Sequence, residues 1–212
     1  MSNLKPTISP PTQFRRHHSS QTPFPRSEPG ETTSRSLSGT WYVRLSSSPF
    51  WIDKYGVSIT FSLDDDDGNT NTTTSDLDTQ AVYTSHLSYR TAIDPSADIK
   101  TVSGTDRRVG TAAAENAGTI PMEWRGSGWM KLVKTRWEIL GFGGGPGTEW
   151  LVAYAEKSMF NPPGISVYSR DREVREEVEA EIRGVLARMV DEAQEQRDEL
   201  ERLVREVRVV GL

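Results

Sequence analysis

The chain has 212 residues, a formal net charge of −5 and no cysteine, and 34% of its residues are hydrophobic. This length allows one domain with a substantial core plus appendages. Without cysteine there is no disulfide, thiolate metal site or cysteine nucleophile, which suits a reducing compartment. An acidic chain without a large basic face is a poor electrostatic match for nucleic acid, so we expect no nucleic-acid partner.

The N-terminal residues 1–38 are rich in Pro, Ser, Thr and Arg and have almost no apolar periodicity. Such a composition buries too little apolar surface to offset the entropy of ordering, which predicts a disordered tail. Its five basic residues stand beside only Glu28 and Glu31, so an organellar targeting peptide is the alternative. The tail lacks the apolar run of a signal peptide, and no stretch is apolar enough for a membrane span. We therefore expect a cytoplasmic protein.

From Gly39 to Arg170, short β-type runs alternate with turn signals at the spacing of a barrel or sandwich. All six tryptophans fall in this block, so the core is expected there. We predict eight strands, over residues 39–45, 57–63, 81–90, 98–104, 119–125, 128–141, 149–157 and 164–170.

Two connections between these strands have alternative readings. The acid-rich stretch from Asp64 to Asp78 is typical of a solvated hairpin connection, and a calcium loop is disfavoured because its acids are adjacent and not alternating. The glycine-rich stretch 143–147 is not a phosphate-binding loop, since a strand and no helix follows it.

After Arg170 the apolar period changes from two to about 3.6, which predicts an amphipathic helix over residues 171–208. The apolar stripe weakens across Glu192 to Glu199 and resumes at Leu200. We expect the first half to pack on the barrel, and the second half, residues 194–212, to project or to find a partner helix.

Three segments, Gly39-Thr40-Trp41, Thr148-Glu149-Trp150 and Tyr168-Ser169-Arg170, resemble in order and spacing the three signature segments of the lipocalin family. Residues 137–142 and 164–170 are similar to those of short fungal lipocalin-like proteins. The resemblance implies an all-β fold: an eight-stranded antiparallel up-and-down barrel over residues 39–170, followed by a helix. It also implies that Gly39, Trp41 and Arg170 are structural, with the arginine packed across the tryptophan at the barrel base.

An eight-stranded barrel can hold one small ligand, with side chains alternating inward and outward. We expect Trp41, Val43 and Leu45 inside the first strand, and Glu156 on the seventh strand within reach of Lys131. If the register slips by one, Lys131 instead lies on the solvated outer face. The expected ligand-lining residues are Phe61, Tyr83, Tyr89, Met122, Trp124, Trp129, Lys131, Trp137 and Tyr154.

Candidate catalytic groups are few. Of the three histidines, residues 17 and 18 lie in the tail and His86 stands alone, which disfavours serine triads and histidine-rich metal sites. We therefore expect no metal and no cofactor, and our first hypothesis is the binding or carrying of a small hydrophobic ligand. The rival is a lipocalin-like isomerase or cyclase acting on a hydrophobic biosynthetic intermediate through Lys131, Glu156 or Tyr154. A third hypothesis is an interaction protein that recruits a partner through residues 194–212.

Overall fold

The computed structural model describes residues 6–15, 37–64, 81–110, 118–159 and 161–211, and it confirms the barrel. Each strand is antiparallel to its neighbours, and β1 pairs with both β2 and β8, so the sheet closes on itself. The strands are β1 Gly39–Ser46, β2 Tyr55–Leu63, β3 Val82–Arg90, β4 Lys100–Arg108, β5 Ile120–Gly126, β6 Lys134–Gly143, β7 Trp150–Ala155 and β8 Gly164–Ser169.

The sixth strand begins later than the sequence predicts. Residues 128–130 form a short 3-10 turn, in which Gly128 has φ +60° and the Met130 N–H donates to the Ser127 carbonyl. This turn and the residues after it lengthen the β5–β6 connection, so β6 starts at Lys134 and not at residue 128. The prediction that Trp129 and Lys131 face into the barrel is therefore wrong, because both precede the strand.

Two β-bulges change which side chains face inward. In β1 the register with β8 shifts between Val43 and Leu45, so Leu45 joins the residues outside the barrel and not Trp41 and Val43 inside it. The predicted inward position of Leu45 is wrong for this reason. A second register shift, between Ile139 and Gly141 in β6, brings Phe142 into the inner cluster beside Ile139, where strict alternation would turn it outward.

The described residues form two apolar cores. The inner cluster lines the barrel, whereas the outer cluster lies between the outer faces of β6 to β8 and the helices. Side chains of the outer cluster include Leu140, Trp150, Val152, Tyr154, Ile165, Val167, Ile182, Val185, Leu186, Met189, Leu200 and Leu203. One face of these strands is thus covered by the helices, and the other face lines the barrel interior.

The predicted single helix is two helices, α1 Glu176–Glu192 and α2 Arg197–Arg205. The chain turns at Gln196, which has φ 47°, and the N–H groups of Gln194 and Glu195 donate to the carbonyl of Phe14. Leu200 and Leu203 are 0% and 1% exposed, so the apolar face of α2 packs within the chain. The expectation that this half projects is wrong, and its burial does not support a helix-mediated partner.

Part of the predicted disordered tail is packed against the barrel. Ile8 and Phe14 are 2% and 0% exposed, and the Ser9 N–H donates to the Leu140 carbonyl at 2.9 Å. The backbone N–H and the hydroxyl of Thr12 donate to the Glu138 carboxylate, each at 3.0 Å. Residues 16–36, where most of the targeting-peptide alternative falls, lie outside the described residues, as do most of the acid-rich connection after Asp64 and the calcium alternative for it.

The end of the chain returns to the barrel wall. Strand β9, Arg208–Val209, pairs with Leu45 and Ser46, where β1 has already separated from β2. The Gly56 N–H donates to the Gly211 carbonyl at 3.3 Å on the other side. Residues 207–211, called the C-terminal strap below, therefore close the seam between β1 and β2. Among the helices described, none is long and apolar enough to cross a membrane.

Candidate ligand site

The interior of the barrel is apolar, with several aromatic rings in its wall. The Phe61 ring stacks on Trp137 with centroids 6.2 Å apart and meets the edge of Tyr83 at 6.4 Å. Around them the inner cluster includes Trp41, Val43, Met122, Ile139, Leu151 and Tyr168. Apolar and aromatic walls of this kind are typical of small-molecule sites.

One carboxylate lies in this apolar interior. Asp106 on β4 stands between Tyr83 and Trp124 in the strand register and is 2% exposed. The Trp137 indole Nε1 donates to its Oδ1 at 2.8 Å. Its other oxygen, Oδ2, accepts no hydrogen bond from the described residues. An unfilled buried acceptor costs free energy, so this oxygen is a candidate anchor for a donor.

The electrostatics of the interior centre on Asp106. Burial raises the pKa of its carboxyl from 3.8 to about 6, and the nearby Ser85 hydroxyl and the Trp137 indole N–H lower it in part. Burial, and to a lesser degree the charge of Asp106, raises the pKa of the Tyr168 hydroxyl. At neutral pH the interior therefore holds a carboxylate near a protonated phenol.

A glycine shapes the wall beside the carboxylate. A Cβ on Gly104 would lie 2.2 Å from Nε1 of Trp124, so only glycine lets this indole lie against β4. From that position Nε1 donates to the Ser85 hydroxyl at 3.2 Å. Ser85 is thus held next to Asp106 by the indole of Trp124.

The two ends of the barrel differ. The β1–β2, β3–β4, β5–β6 and β7–β8 connections lie at one end, called the mouth below. Toward the mouth, the inward Leu87, Tyr89 and Trp124 keep partial exposure. Trp51, in the β1–β2 connection, packs on the inner cluster and donates Nε1 to the Ser166 hydroxyl at 3.2 Å. This indole partly covers the mouth.

The opposite end is closed as the resemblance implies. The Arg170 guanidinium lies 3.8 Å from the ring centroid of Trp41 and donates to the carbonyls of Ser38 and Thr40 at 2.7 and 3.1 Å. The Trp41 indole donates to the Leu37 carbonyl at 2.8 Å. Gly39 has φ +95°, and a Cβ there would lie 2.9 Å from Nη1 of Arg170. Gly39, Trp41 and Arg170 therefore meet at the base of the barrel.

Six of the predicted lining residues do come together in the inner cluster: Phe61, Tyr83, Tyr89, Met122, Trp124 and Trp137. Three do not. Trp129 is 91% exposed and Lys131 is exposed, because both lie in the β5–β6 connection. Tyr154 is buried in the outer cluster, with its ring 5.8 Å from that of Phe14.

Sequence reasoning missed Asp106 and Ser85. The signal was available, because Asp106 follows Gly104 by two residues in a β-type run, and alternate residues share a face. The acid was passed over because the predicted fourth strand ended at residue 104, whereas β4 continues to Arg108.

The polar groups expected to support catalysis are not in the inner cluster. Tyr154 and Lys131 lie outside the barrel interior, and Glu156 follows the end of β7. His86 is exposed and its Nδ1 is 2.9 Å from the Ser103 hydroxyl. No cluster of three or more His, Cys, Asp or Glu suited to a metal occurs in the part of the chain that the structure describes.

No family model and no curated protein sequence matches the chain. Three solved structures that resemble it are the siderocalin Ex-FABP, the amine-binding protein of Rhodnius prolixus in its tryptamine complex, and lobster apocrustacyanin A1. The siderocalin is 15% identical, with 82% of this chain and 93% of that chain covered and a TM-score of 0.48. The amine-binding protein is 10% identical, with 81% and 89% covered and a TM-score of 0.47. The apocrustacyanin is 10% identical, with 72% and 70% covered and a TM-score of 0.44.

The fold is evident from the geometry of the chain itself. Eight strands close an up-and-down barrel, its base is plugged by Trp41 under Arg170, and helices after β8 pack on its outside. This arrangement is the lipocalin fold.

Proposed function

We propose that the barrel binds one small hydrophobic molecule that carries a hydrogen-bond donor, with a protonated amine as the best match. The observation that carries this proposal is the unfilled Oδ2 of Asp106 in an aromatic interior. A buried carboxylate with one free oxygen is stabilised by a charged or neutral donor.

Affinity and orientation come from different groups in this proposal. Phe61, Tyr83 and Trp137 supply apolar contact, which favours binding without fixing direction. Asp106 fixes the polar end of the ligand toward β4. The pKa of the Asp106 carboxyl is about 6 before a ligand binds. A ligand ammonium therefore meets the ionised carboxylate at neutral pH and the protonated acid in mild acid. Amine binding should therefore weaken as the pH falls below about 6.

A pair of probes of equal apolar shape tests the proposal. We would titrate the purified chain with 2-(2-naphthyl)ethylamine and with 2-ethylnaphthalene, following binding by calorimetry and native mass spectrometry. We expect the amine to bind more tightly. The Asp106→Asn variant should lose amine affinity by roughly tenfold or more and keep its affinity for the neutral probe.

Asp98→Asn is the matched control, because Asp98 is an exposed acid in the β3–β4 connection near the mouth. It should leave both affinities unchanged. If neither probe binds the wild-type chain, the proposal that this barrel binds small hydrophobic molecules of this class is wrong. If both bind and Asp106→Asn changes neither affinity, the ligand site stands but Asp106 is not its anchor.

A further inference from the structure

The mouth of the barrel carries exposed apolar side chains on all four of its connections. Ile52 is 43% exposed, Ile93 and Ile99 are 73% and 57% exposed, and Met159 is 90% exposed. Trp129 and Leu132, both in the β5–β6 connection, are 91% and 96% exposed. Among the described residues, only Val109 and Val209 are further large hydrophobic side chains with this degree of exposure. Exposed apolar side chains gathered at one end of a molecule mark an interaction surface.

The same end is basic although the chain is acidic. The four mouth connections with their flanking strand residues, 47–55, 90–100, 125–134 and 155–164, have seven basic and four acidic residues, a net charge of +3. The whole chain has −5, so the remainder has −8. The excess is concentrated in 125–134, where Arg125, Lys131 and Lys134 are all exposed and no acid occurs.

We propose that the mouth docks on an anionic lipid surface, with the β5–β6 connection as its main contact. Tryptophan with a neighbouring aliphatic side chain suits the boundary between headgroups and acyl chains, and adjacent lysines favour anionic headgroups. The apolar residues stand on four separate connections. A fluid lipid surface can accept separate insertion points, whereas a protein partner would need a surface shaped to match all four.

The charge distribution also orients the molecule. The segment from 171 to 212, which contains both helices, has thirteen acidic and eight basic residues, a net charge of −5. An anionic surface therefore repels the helical side of the barrel and attracts the mouth. This docking is distinct from ligand binding in the barrel and is measured without any ligand.

Sedimentation with vesicles tests the docking on the full chain. We expect binding to vesicles of phosphatidylcholine mixed with phosphatidylglycerol, weak or no binding to phosphatidylcholine alone, and loss of binding as salt is raised. The double variant Trp129→Ser with Leu132→Ser should lower the partition coefficient on the order of tenfold or more. Lys131→Glu should weaken binding to the anionic vesicles only.

Val109→Ser is the matched control, because Val109 is a 39% exposed apolar residue in the β4–β5 connection at the opposite end of the barrel. It should bind vesicles like the wild-type chain. Since the changed residues are exposed, each variant should keep the unfolding curve of the wild-type chain. Absence of binding to anionic vesicles, or equal binding by the double variant, overturns the proposal. The proposal is also overturned if the wild-type chain does not bind vesicles but self-associates in light scattering, and the double variant does not self-associate.

Discussion

A single carboxylate, Asp106, sets the electrostatic character of the barrel interior. Its Oδ1 is satisfied by Trp137, but its burial disfavours the charge that it carries at neutral pH. Groups of this kind reduce stability and are found where a site needs them. The cost of Asp106 to folding is therefore measurable separately from its role toward a ligand.

The first prediction concerns Asp106→Asn and pH. The pKa of this carboxyl is 3.8 unfolded and about 6 folded, so between these values the folded chain holds a proton that the unfolded chain has lost. Stability therefore falls as pH rises through this window, and the full cost is present above pH 6. A pKa difference of one unit corresponds to ~1.4 kcal/mol. The variant should therefore be more stable than wild type by up to about 3 kcal/mol at neutral pH.

Urea unfolding of both chains from about pH 4 to 8 checks this, and the difference between them should approach a constant minimum at the acid end. Asparagine keeps an oxygen that can accept the Trp137 hydrogen bond, and because its amide does not titrate, the pH dependence of the difference isolates the charge. A stability difference that does not grow with pH would contradict the raised pKa.

The second prediction concerns the arginine at the barrel base. Arg170→Met removes the cation over the Trp41 ring and two hydrogen bonds to backbone carbonyls. We expect a loss of about 2 to 4 kcal/mol in the free energy of unfolding. Arg172→Met is the control, since Arg172 lies 5.3 Å from the Tyr42 ring centroid but is exposed. If both variants unfold at the same urea concentration, the plug does not stabilise the base.

At the scale of elements, alternation predicts the face of a side chain only where the strand is regular. Alternation places Phe61, Tyr83 and Trp137 inside the barrel, and the structure agrees. It fails at Leu45 because one extra residue in a bulge reverses the parity of every later side chain. Composition alone does not reveal a bulge, since the residue that causes it, Arg44, is unremarkable in sequence.

Strand β7 shows a second limit of alternation. Trp150, Val152 and Tyr154 share one face, but that face lies under the helices and not inside the barrel. Both faces of β7 are apolar, because the inward residues are Leu151, Ala153 and Ala155. A strand buried on both sides gives no period-two contrast, so the sequence does not say which side is the ligand site.

The third prediction concerns the ordered N-terminal segment. Phe14 is 0% exposed, packs edge-on against Tyr154, and accepts two backbone hydrogen bonds that hold the α1–α2 turn. Phe14→Ala should lower the free energy of unfolding by about 3 to 5 kcal/mol through the cavity that it leaves. Met159→Ala, at a 90% exposed position, should leave it unchanged. A Phe14→Ala chain as stable as wild type would mean that residues 6–15 add nothing to the fold.

At the scale of the whole molecule, the barrel wall separates two surfaces with different tasks. Its outer face on β6 to β8 is used for stability, because the helices and residues 8–14 cover it. The interior and the mouth remain for contact with other molecules. The proposed ligand site and the proposed lipid contact share one opening, so an apolar molecule could pass between membrane and barrel without crossing water.

The last prediction concerns the C-terminal strap, which completes the wall next to this opening. Val210 is 4% exposed, belongs to the inner cluster, and its N–H donates to the Arg44 carbonyl at 2.9 Å, whereas Val209 beside it is 52% exposed. Val210→Asp would bury a charge without a partner. We expect it either to cost on the order of 3 kcal/mol in stability or to release the strap from the seam.

Urea unfolding measures the first effect, and hydrogen exchange at the Gly56 amide, which donates to Gly211, measures the second. Val209→Asp is the matched control, because the same charge one residue earlier faces solvent and should change neither measurement. Equal behaviour of the two variants would show that the strap does not seal the seam. A released strap with an otherwise folded barrel would instead show that the wall between β1 and β2 can open while the base stays closed by Trp41 and Arg170.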